Sequence, residues 1–325
     1  MRAAVIHRFG GPERVSIETR PTPTPKPDEV LIRVHASTVS IADYRVRTKD
    51  LPKGLGFFGP LALGVFRPRH PVLGMDLAGV VEQVGSEVTR FAIGDRVVGM
   101  PGGAFGSHAE YRTMKQDAAL AHAPKGWSHE DAVAILFGGV TVVTFLKLYP
   151  LSLGMEVLVN GASGATGSSA VQIAKHFGAR VTGVTTHGDV VTELGADEVI
   201  DYRATDFTAL GRQWDVLFDC VGNAPFERVS ASIRKGGALL MVISDLRGML
   251  GARRNSRRLG GLVTNGNKPA TAADLAFLVA LAEAGSLRPV IERIYEFDEI
   301  RAAHSRVGEN RKVGNLVLRV APSRS

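Results

Sequence analysis

The chain has 325 residues, 45% hydrophobic and 22% charged, with 39 Lys and Arg against 32 Asp and Glu for a formal charge of +7. This is the composition of a globular protein with apolar material for two cores. The single cysteine, Cys220, excludes an intrachain disulfide and a four-cysteine zinc lobe.

The opening residues MRAAVIHRFGG lack the apolar core and cleavage site of a secretory signal, so the cytoplasm is the expected location. No transmembrane segment is expected from the apolar runs. From Arg2 to about Ala121 the chain reads as many short strands, such as VLIRVHAS at 30–37 and LAGVVEQVG at 77–85, broken by Gly and Pro. Prolines at 21, 23, 25 and 27 make the stretch between the first strands an extended connection, because each fixes φ and removes a donor. The run GLGFFGPLALGVF at 54–66 is unusually apolar for a connection and suits a substrate entrance, a dimer contact or a lipid contact.

After Trp127 the texture changes to strands alternating with helical patterns, the mark of a parallel sheet covered by helices. EVLVN at 156–160 is a strand suited to burial on both faces, followed by VTGVTT at 181–186, EVIDY at 198–202, DVLFDC at 215–220 and ALLMVIS at 238–244. Between the first two, Ala170, Ile173, Ala174 and Phe177 recur at helical spacing and Gly178 supplies a left-handed stop. Arg247, Arg253, Arg254, Arg257 and Arg258 share one segment with four glycines, which reads as a mobile basic loop. No aromatic residue is interleaved there for base stacking, so nucleic acid is not the expected partner. DLAFLVALAEAG at 274–285 reads as a helix with a glycine stop, and the tail returns to strands around a helix near 297–307.

Between the first strand of the parallel sheet and its helix lies GASGATG, in which Gly161, Gly164 and Gly167 form a GxxGxxG pattern. A turn without Cβ atoms at a helix N-terminus lets backbone amides reach a pyrophosphate, so a Rossmann-type dinucleotide site is expected. The competing reading is a glycine turn needed only for helix packing. An NAD site places an acid at the end of the second strand for the ribose hydroxyls. Here Thr185, Thr186 and His187 stand instead, which accommodates a 2′-phosphate and predicts NADPH; the nearest acid, Asp189, lies four residues past Thr185.

GMEVLVNGASGATGSSAVQIAK at 154–175 closely resembles the signature of the quinone oxidoreductase (zeta-crystallin-like) branch of the medium-chain dehydrogenase/reductase family, with Ala165 in place of a second adjacent glycine. The resemblance runs on through RHPVLGMDLAGVVEQVG at 69–85, RFAIGDRVVGM at 90–100, LGADEVIDY at 194–202 and DLAFLVALAEAGSLRPVI at 274–291. It implies an α/β fold: a GroES-like catalytic domain at 1–122, completed by 286–325, and a doubly wound Rossmann domain at 123–285. It implies cofactor contacts from Thr141, Gly161, Ser163, Gly164, Ala165, Thr166 and Gly167. Others are implied from Thr185, Thr186, His187, Tyr202, Cys220, Val221, Gly222, Ile243, Ser244 and Asn315. Zinc-dependent relatives carry a cysteine near the position of Ser40 and a His-Glu pair after the glycine matched by Gly74. This chain has Ser40 and Gly74-Met75-Asp76, so no metal is expected.

What the resemblance then implies is hydride transfer from NADPH to a small apolar electrophile, a quinone or an α,β-unsaturated carbonyl, in a homodimer. Ser40, Asp43, Tyr44 and Arg47 fall where the family surrounds the nicotinamide, with Tyr44 a hydrogen-bond donor to substrate oxygen. The competing reading makes Asp43 and Arg47 a structural ion pair and Tyr44 a wall. Cys220 ends a parallel strand, yet no basic neighbour in sequence lowers its pKa and an inert thiol is expected. A non-enzymatic NADPH-binding protein (a sensor, a scaffold or an RNA binder) is the alternative that the basic charge keeps open.

Overall fold

The computed structural model describes residues 1–56, 63–266 and 268–321. In chain order it shows β1 (Arg2–Ile6), β2 (Val15–Thr19), β3 (Glu29–Thr38), α1 (Ile41–Thr48), β4 (Leu77–Val84), β5 (Arg96–Gly99), β6 (Tyr111–Lys115) and β7 (Leu120–His122). Two helices follow, α2 (His129–Ala134) and α3 (Leu136–Leu146). Then come β8 (Glu156–Asn160), α4 (Ala165–His176), β9 (Arg180–Val184), α5 (Gly188–Glu193), β10 (Glu198–Ile200), β11 (Trp214–Asp219), α6 (Phe226–Val229), β12 (Ile233–Met241), α7 (Leu246–Leu259) and β13 (Leu262–Thr264). The chain ends with α8 (Ala272–Glu283), β14 (Ile291–Glu296), α9 (Ile300–Gly308) and β15 (Asn315–Arg319).

Two compact units emerge. The first is Met1–Leu51, Gly56–Val140 and Pro269–Ser325; the second is Pro52–Leu55 and Thr141–Lys268. The division falls later than the change of sequence texture near 122, and α8 also lies in the first unit. Packing explains both shifts: Gly139 fits against Leu278 of α8, where a Cβ would stand 2.8 Å from its Cδ2, and Asn315 of the returning tail donates to the carbonyl of Ala134.

The first unit is built on a sheet ordered β14-β15-β3-β4-β5-β7, with β6 also paired to β3. β15 pairs antiparallel with β3, Val317 opposite Thr38, so the tail supplies strands to the N-terminal sheet. The alternating residues of β3 put Val30, Ile32 and Val34 into a core with Leu77, Val97, Leu120 and Leu316. The helical run at 129–146 is long and apolar enough to cross a membrane, which the strand-and-helix reading of the sequence did not count; it is 83% buried within the protein. The apolar segment 54–66 lies partly outside the described residues. Its described end exposes Val65 and Phe66.

The second unit is a six-stranded sheet of order β10-β9-β8-β11-β12-β13, parallel at every pairing. Val157, Leu158 and Val159 of β8 are fully buried, as expected of a central strand covered on both faces. Trp214 fills the interior and donates its indole N–H to Thr182 Oγ1 at 3.2 Å, which removes the cost of burying that donor.

One expectation is overturned. The arginine-rich stretch is the 14-residue helix α7 and not a loop. Asp245 caps it by accepting from Gly248 N at 2.8 Å, and Gly260 closes it at φ 68°, while its interior glycines at 248 and 251 cost helix propensity that packing recovers. Asn255 and Leu259 hold its inner face, and Ser256 Oγ accepts from Val263 N at 2.9 Å.

Candidate functional site: a glycine turn at the ends of a parallel sheet

In the second unit, the C-terminal ends of β8, β9, β11 and β12 carry most of the residues singled out for cofactor binding. Gly161 leaves β8 at φ 81°, a conformation a side chain disfavours, and a Cβ there would stand 2.7 Å from Val221 Cγ2. Gly167 permits the closest approach: its Cβ would lie 2.0 Å from the carbonyl oxygen of Gly161, so α4 sits directly on the turn that precedes it. Gly164 is the N-cap of α4 and brings no side-chain acceptor to the first turn. The amides beginning at Ala165, Thr166 and Gly167 therefore present an electropositive helix end with no capping side chain, which suits a pyrophosphate.

Neighbouring residues hold this turn in place. Gly161 N and Ala162 N both donate to the carbonyl of Val184 at the end of β9. Thr185 Oγ1 donates to Ser163 Oγ at 2.8 Å and accepts from His187 N at 3.1 Å. Thr185 is thus a buried link between turn and strand end; Thr186 is half-buried and His187 exposed. Tyr202 is 61% exposed, beyond β10. Beside it stands Arg203, which sequence reading passed over; its guanidinium meets Asp201 at 2.6 Å. β10 pairs with β9 as far as Ile200 opposite Val184, and the chain then turns, so Arg203 lies in the turn that follows the strand next to β9.

A second residue missed in the sequence is Asp219. Buried at the end of β11, it accepts from Asn160 Nδ2 at 2.9 Å and from the amides of Val221, Gly222 and Ala224 at 3.0 to 3.1 Å. One carboxylate so fixes the bend that puts Val221 over Gly161 and Gly222 against Ile243, where a Cβ would meet Ile243 Cγ2 at 3.0 Å. Its signal was its position at the strand end, read in the sequence only for its neighbour Cys220. Burial, with the charge of Asp219 beside it, pushes the Cys220 thiol far up, as expected of an unreactive cysteine. Ser244 Oγ donates to the carbonyl of Asp245 at 3.2 Å. Thr141 lies on α3, its carbonyl accepting from Thr144 Oγ1.

The remaining candidates lie in the first unit. Ser40 is the N-cap of α1 in a capping box: its hydroxyl donates to Asp43 Oδ2 at 2.6 Å and accepts from Asp43 N, while Ser40 N donates to the same carboxylate at 2.8 Å. The ion pair weighed for Asp43 and Arg47 does not form. Asp43 Oδ1 accepts from Gly74 N at 2.8 Å, and Arg47 Nη1 donates to the carbonyl of Gly10 at 2.6 Å. Tyr44 lies under the Arg47 guanidinium at 5.6 Å and packs beside Gly308 of α9. Asn315 spends its amide donor on the carbonyls of Ala134 and Val290.

Asp76 is wholly buried, and both its carboxylate oxygens are taken, by Thr38 N and by Thr38 Oγ1, each at 2.7 Å. Burial pushes it up to about 7 against those hydrogen bonds. Among the described residues no group of three His, Cys, Asp or Glu is arranged to hold a metal.

Residues 26–125 match the alcohol dehydrogenase GroES-like domain family and residues 194–318 the zinc-binding dehydrogenase family. Over 98% of its length the chain is 30% identical to a quinone oxidoreductase of Sus scrofa, covering 97% of that protein. The chain belongs to the medium-chain dehydrogenase/reductase family. Within it, a 2-methylene-furan-3-one reductase of Solanum lycopersicum is also 30% identical, across 99% of this chain and 80% of that one. The solved quinone oxidoreductase of Coxiella burnetii superposes with a TM-score of 0.85 at 26% identity over 99% of both chains. As a medium-chain dehydrogenase/reductase the chain is an oxidoreductase that uses a nicotinamide cofactor. A GroES-like domain with a parallel-sheet Rossmann domain is the α/β fold class that the sequence resemblance implied.

Proposed function

We propose that this protein is a zinc-independent, NADPH-dependent reductase of quinones or α,β-unsaturated carbonyls. The observation that carries the cofactor preference is the end of β9, which offers Thr186 and His187 and no carboxylate, and Arg203, in the turn after the paired strand β10, is the cation we assign to a 2′-phosphate. The glycine turn receives the pyrophosphate on the free first turn of α4, and Ile243 and Ser244 line the nicotinamide end. A bound nicotinamide supplies the hydride, two electrons with one proton.

The chain's own residues supply positioning. Reduction of an enone or a quinone would place hydride on the β-carbon or on a ring position and take one proton from solvent to neutralise the electron pair that collects on a carbonyl oxygen. The Tyr44 phenol is suited to donate a hydrogen bond to that oxygen, and Ser40 acts through the capping box that fixes where α1 begins. Zinc independence rests on the donor set. Ser40 Oγ is committed to Asp43, both Asp76 oxygens are committed to Thr38, and neither position offers a thiolate or an imidazole. A homodimer belongs to the same reading, and light scattering of the eluting protein tests it.

The relatives' names motivate the acceptor class: a quinone oxidoreductase and a reductase of an unsaturated furanone. The test is a fluorescence titration with NADPH and with NADH, followed by addition of an ortho-quinone and an alkenal, on protein shown to be metal-free. Tighter NADPH binding with acceptor-dependent oxidation is expected. NADH preference would overturn the role given to Thr186, His187 and Arg203, and binding without turnover would favour a sensor.

A further inference from the structure

The net charge is concentrated in one place. Without the five arginines of α7 the chain would carry +2 in place of +7. In the second unit, every arginine outside α7 has an acid partner: Arg180 with Glu156, Arg203 with Asp201, Arg212 with Glu198, Arg228 with Asp206 and Arg234 with Asp215. The sequence of α7, LRGMLGARRNSRRL, contains no acid, and none of its arginines forms an ion pair among the described residues.

Packing orients this charge. Asn255 and Leu259 face inward, and Arg258 lies over the Phe226 ring at 5.2 Å. Outward, positions 250, 253, 254 and 257 follow the i, i+3, i+4, i+7 spacing of one helical stripe. Arg253, Arg254 and Arg257 are exposed on it, and Leu250 is 77% exposed in their midst, with Met249 42% exposed at its edge. An isolated exposed leucine is ordinary. Here the leucine heads a stripe of arginines that have no acid partner among the described residues, on a helix whose other face is anchored.

We propose that α7 docks the protein on an anionic lipid bilayer, with the arginines at the headgroup phosphates and Leu250 entering the acyl boundary. A cluster of basic residues on one exposed face is what the negative surface of an anionic bilayer attracts, and the projecting aliphatic group adds contact below the headgroups. Nucleic acid is the weaker occupant: α7 has no aromatic residue for stacking, and Leu250 would gain nothing against a phosphate backbone.

Flotation of the full-length protein with vesicles of phosphatidylglycerol and phosphatidylcholine tests this, beside pure phosphatidylcholine vesicles and a labelled RNA duplex. Binding is expected to the mixed vesicles only, and to fall steeply between low and high salt. The combined variant Arg253→Gln, Arg254→Gln, Arg257→Gln is expected to weaken partitioning about a hundredfold, at about fivefold per arginine near a charged surface. Leu250→Ser, an exposed change that keeps the charge, is expected to weaken it several-fold, and cofactor binding by both variants reports that they are folded. The proposal fails if the protein does not float, if the triple variant floats as well as the parent, or if RNA binds more tightly than lipid and Leu250→Ser changes nothing.

Discussion

The two units bury different chemistry. The first has an interior laced with ionisable groups: His35, Asp43, Arg47, Asp76, His108, His129 and His304 are all nearly or wholly inaccessible. His35 stacks on His129 with ring centroids 4.4 Å apart, and His108 meets His304 edge to face at 5.9 Å. The second buries an apolar sheet, and its conspicuous buried carboxylate, Asp219, sits at a strand end holding a loop. Stability of the first unit is therefore tied to protonation, whereas that of the second is tied to backbone fit around a ligand turn.

The sharpest way to break this contrast is Gly167→Val. With a Cβ 2.0 Å from a carbonyl oxygen, α4 must move off the turn, and NADPH affinity is expected to fall at least a hundredfold, with about 3 kcal/mol of stability lost from overpacking. Fluorescence titration and denaturant unfolding read the two losses. Asp219→Ala comes next. Its four donors lose their acceptor, so about 2–3 kcal/mol of stability and about tenfold in cofactor affinity should go.

Acid tests the first unit. Burial, then the nearby charges of His35 and Arg96, lower His129 from 6.5 to about 4. A base whose folded pKa is depressed binds fewer protons folded than unfolded. Its contribution is therefore intact above about pH 6.5 and is lost as pH falls from there toward about 4. Burial lowers His35 and, more strongly, His304 in the same direction. Asp76, raised to about 7, works oppositely and gains stability for the fold as pH falls from about 7 toward 3.8. Three histidines act against one carboxyl, so urea unfolding at pH 7 and pH 4.5 is expected to show a net loss at acid pH. His129→Leu should reduce that loss by about 2 kcal/mol, and an unchanged difference would refute the assignment. The smallest effect is sought in the second unit: Thr186→Asp should weaken NADPH about tenfold relative to NADH, without altering the acid response.

Much of this was legible in the sequence because it rests on local rules. GASGATG between an apolar strand and a helix specified the turn, since only glycine meets the backbone demands at 161 and 167. The capping box at Ser40 and Asp43 also follows from a local spacing, yet their three-residue separation was read as catalytic neighbourhood and not as a cap. What escaped depended on partners distant in sequence. The competing reading paired Asp43 along its own helix with Arg47, but Gly74 and Gly10 take those groups from other parts of the chain. Arg203 follows β10, which neighbours β9 only through a strand pairing that sequence spacing does not display. Helix α7 was hidden by its glycines, because its stability comes from its inner face and two caps rather than from propensity.

The pairing of β15 with β3 has a consequence for biogenesis. Residues 315–319 complete a sheet begun at residue 29, and the first unit cannot close until the last strands leave the ribosome. The second unit ends at Lys268, so all of it is synthesised before the strands that close the first. A nascent chain stalled after the second unit has emerged should already capture dinucleotide, so the cofactor would be aboard before the first unit is closed.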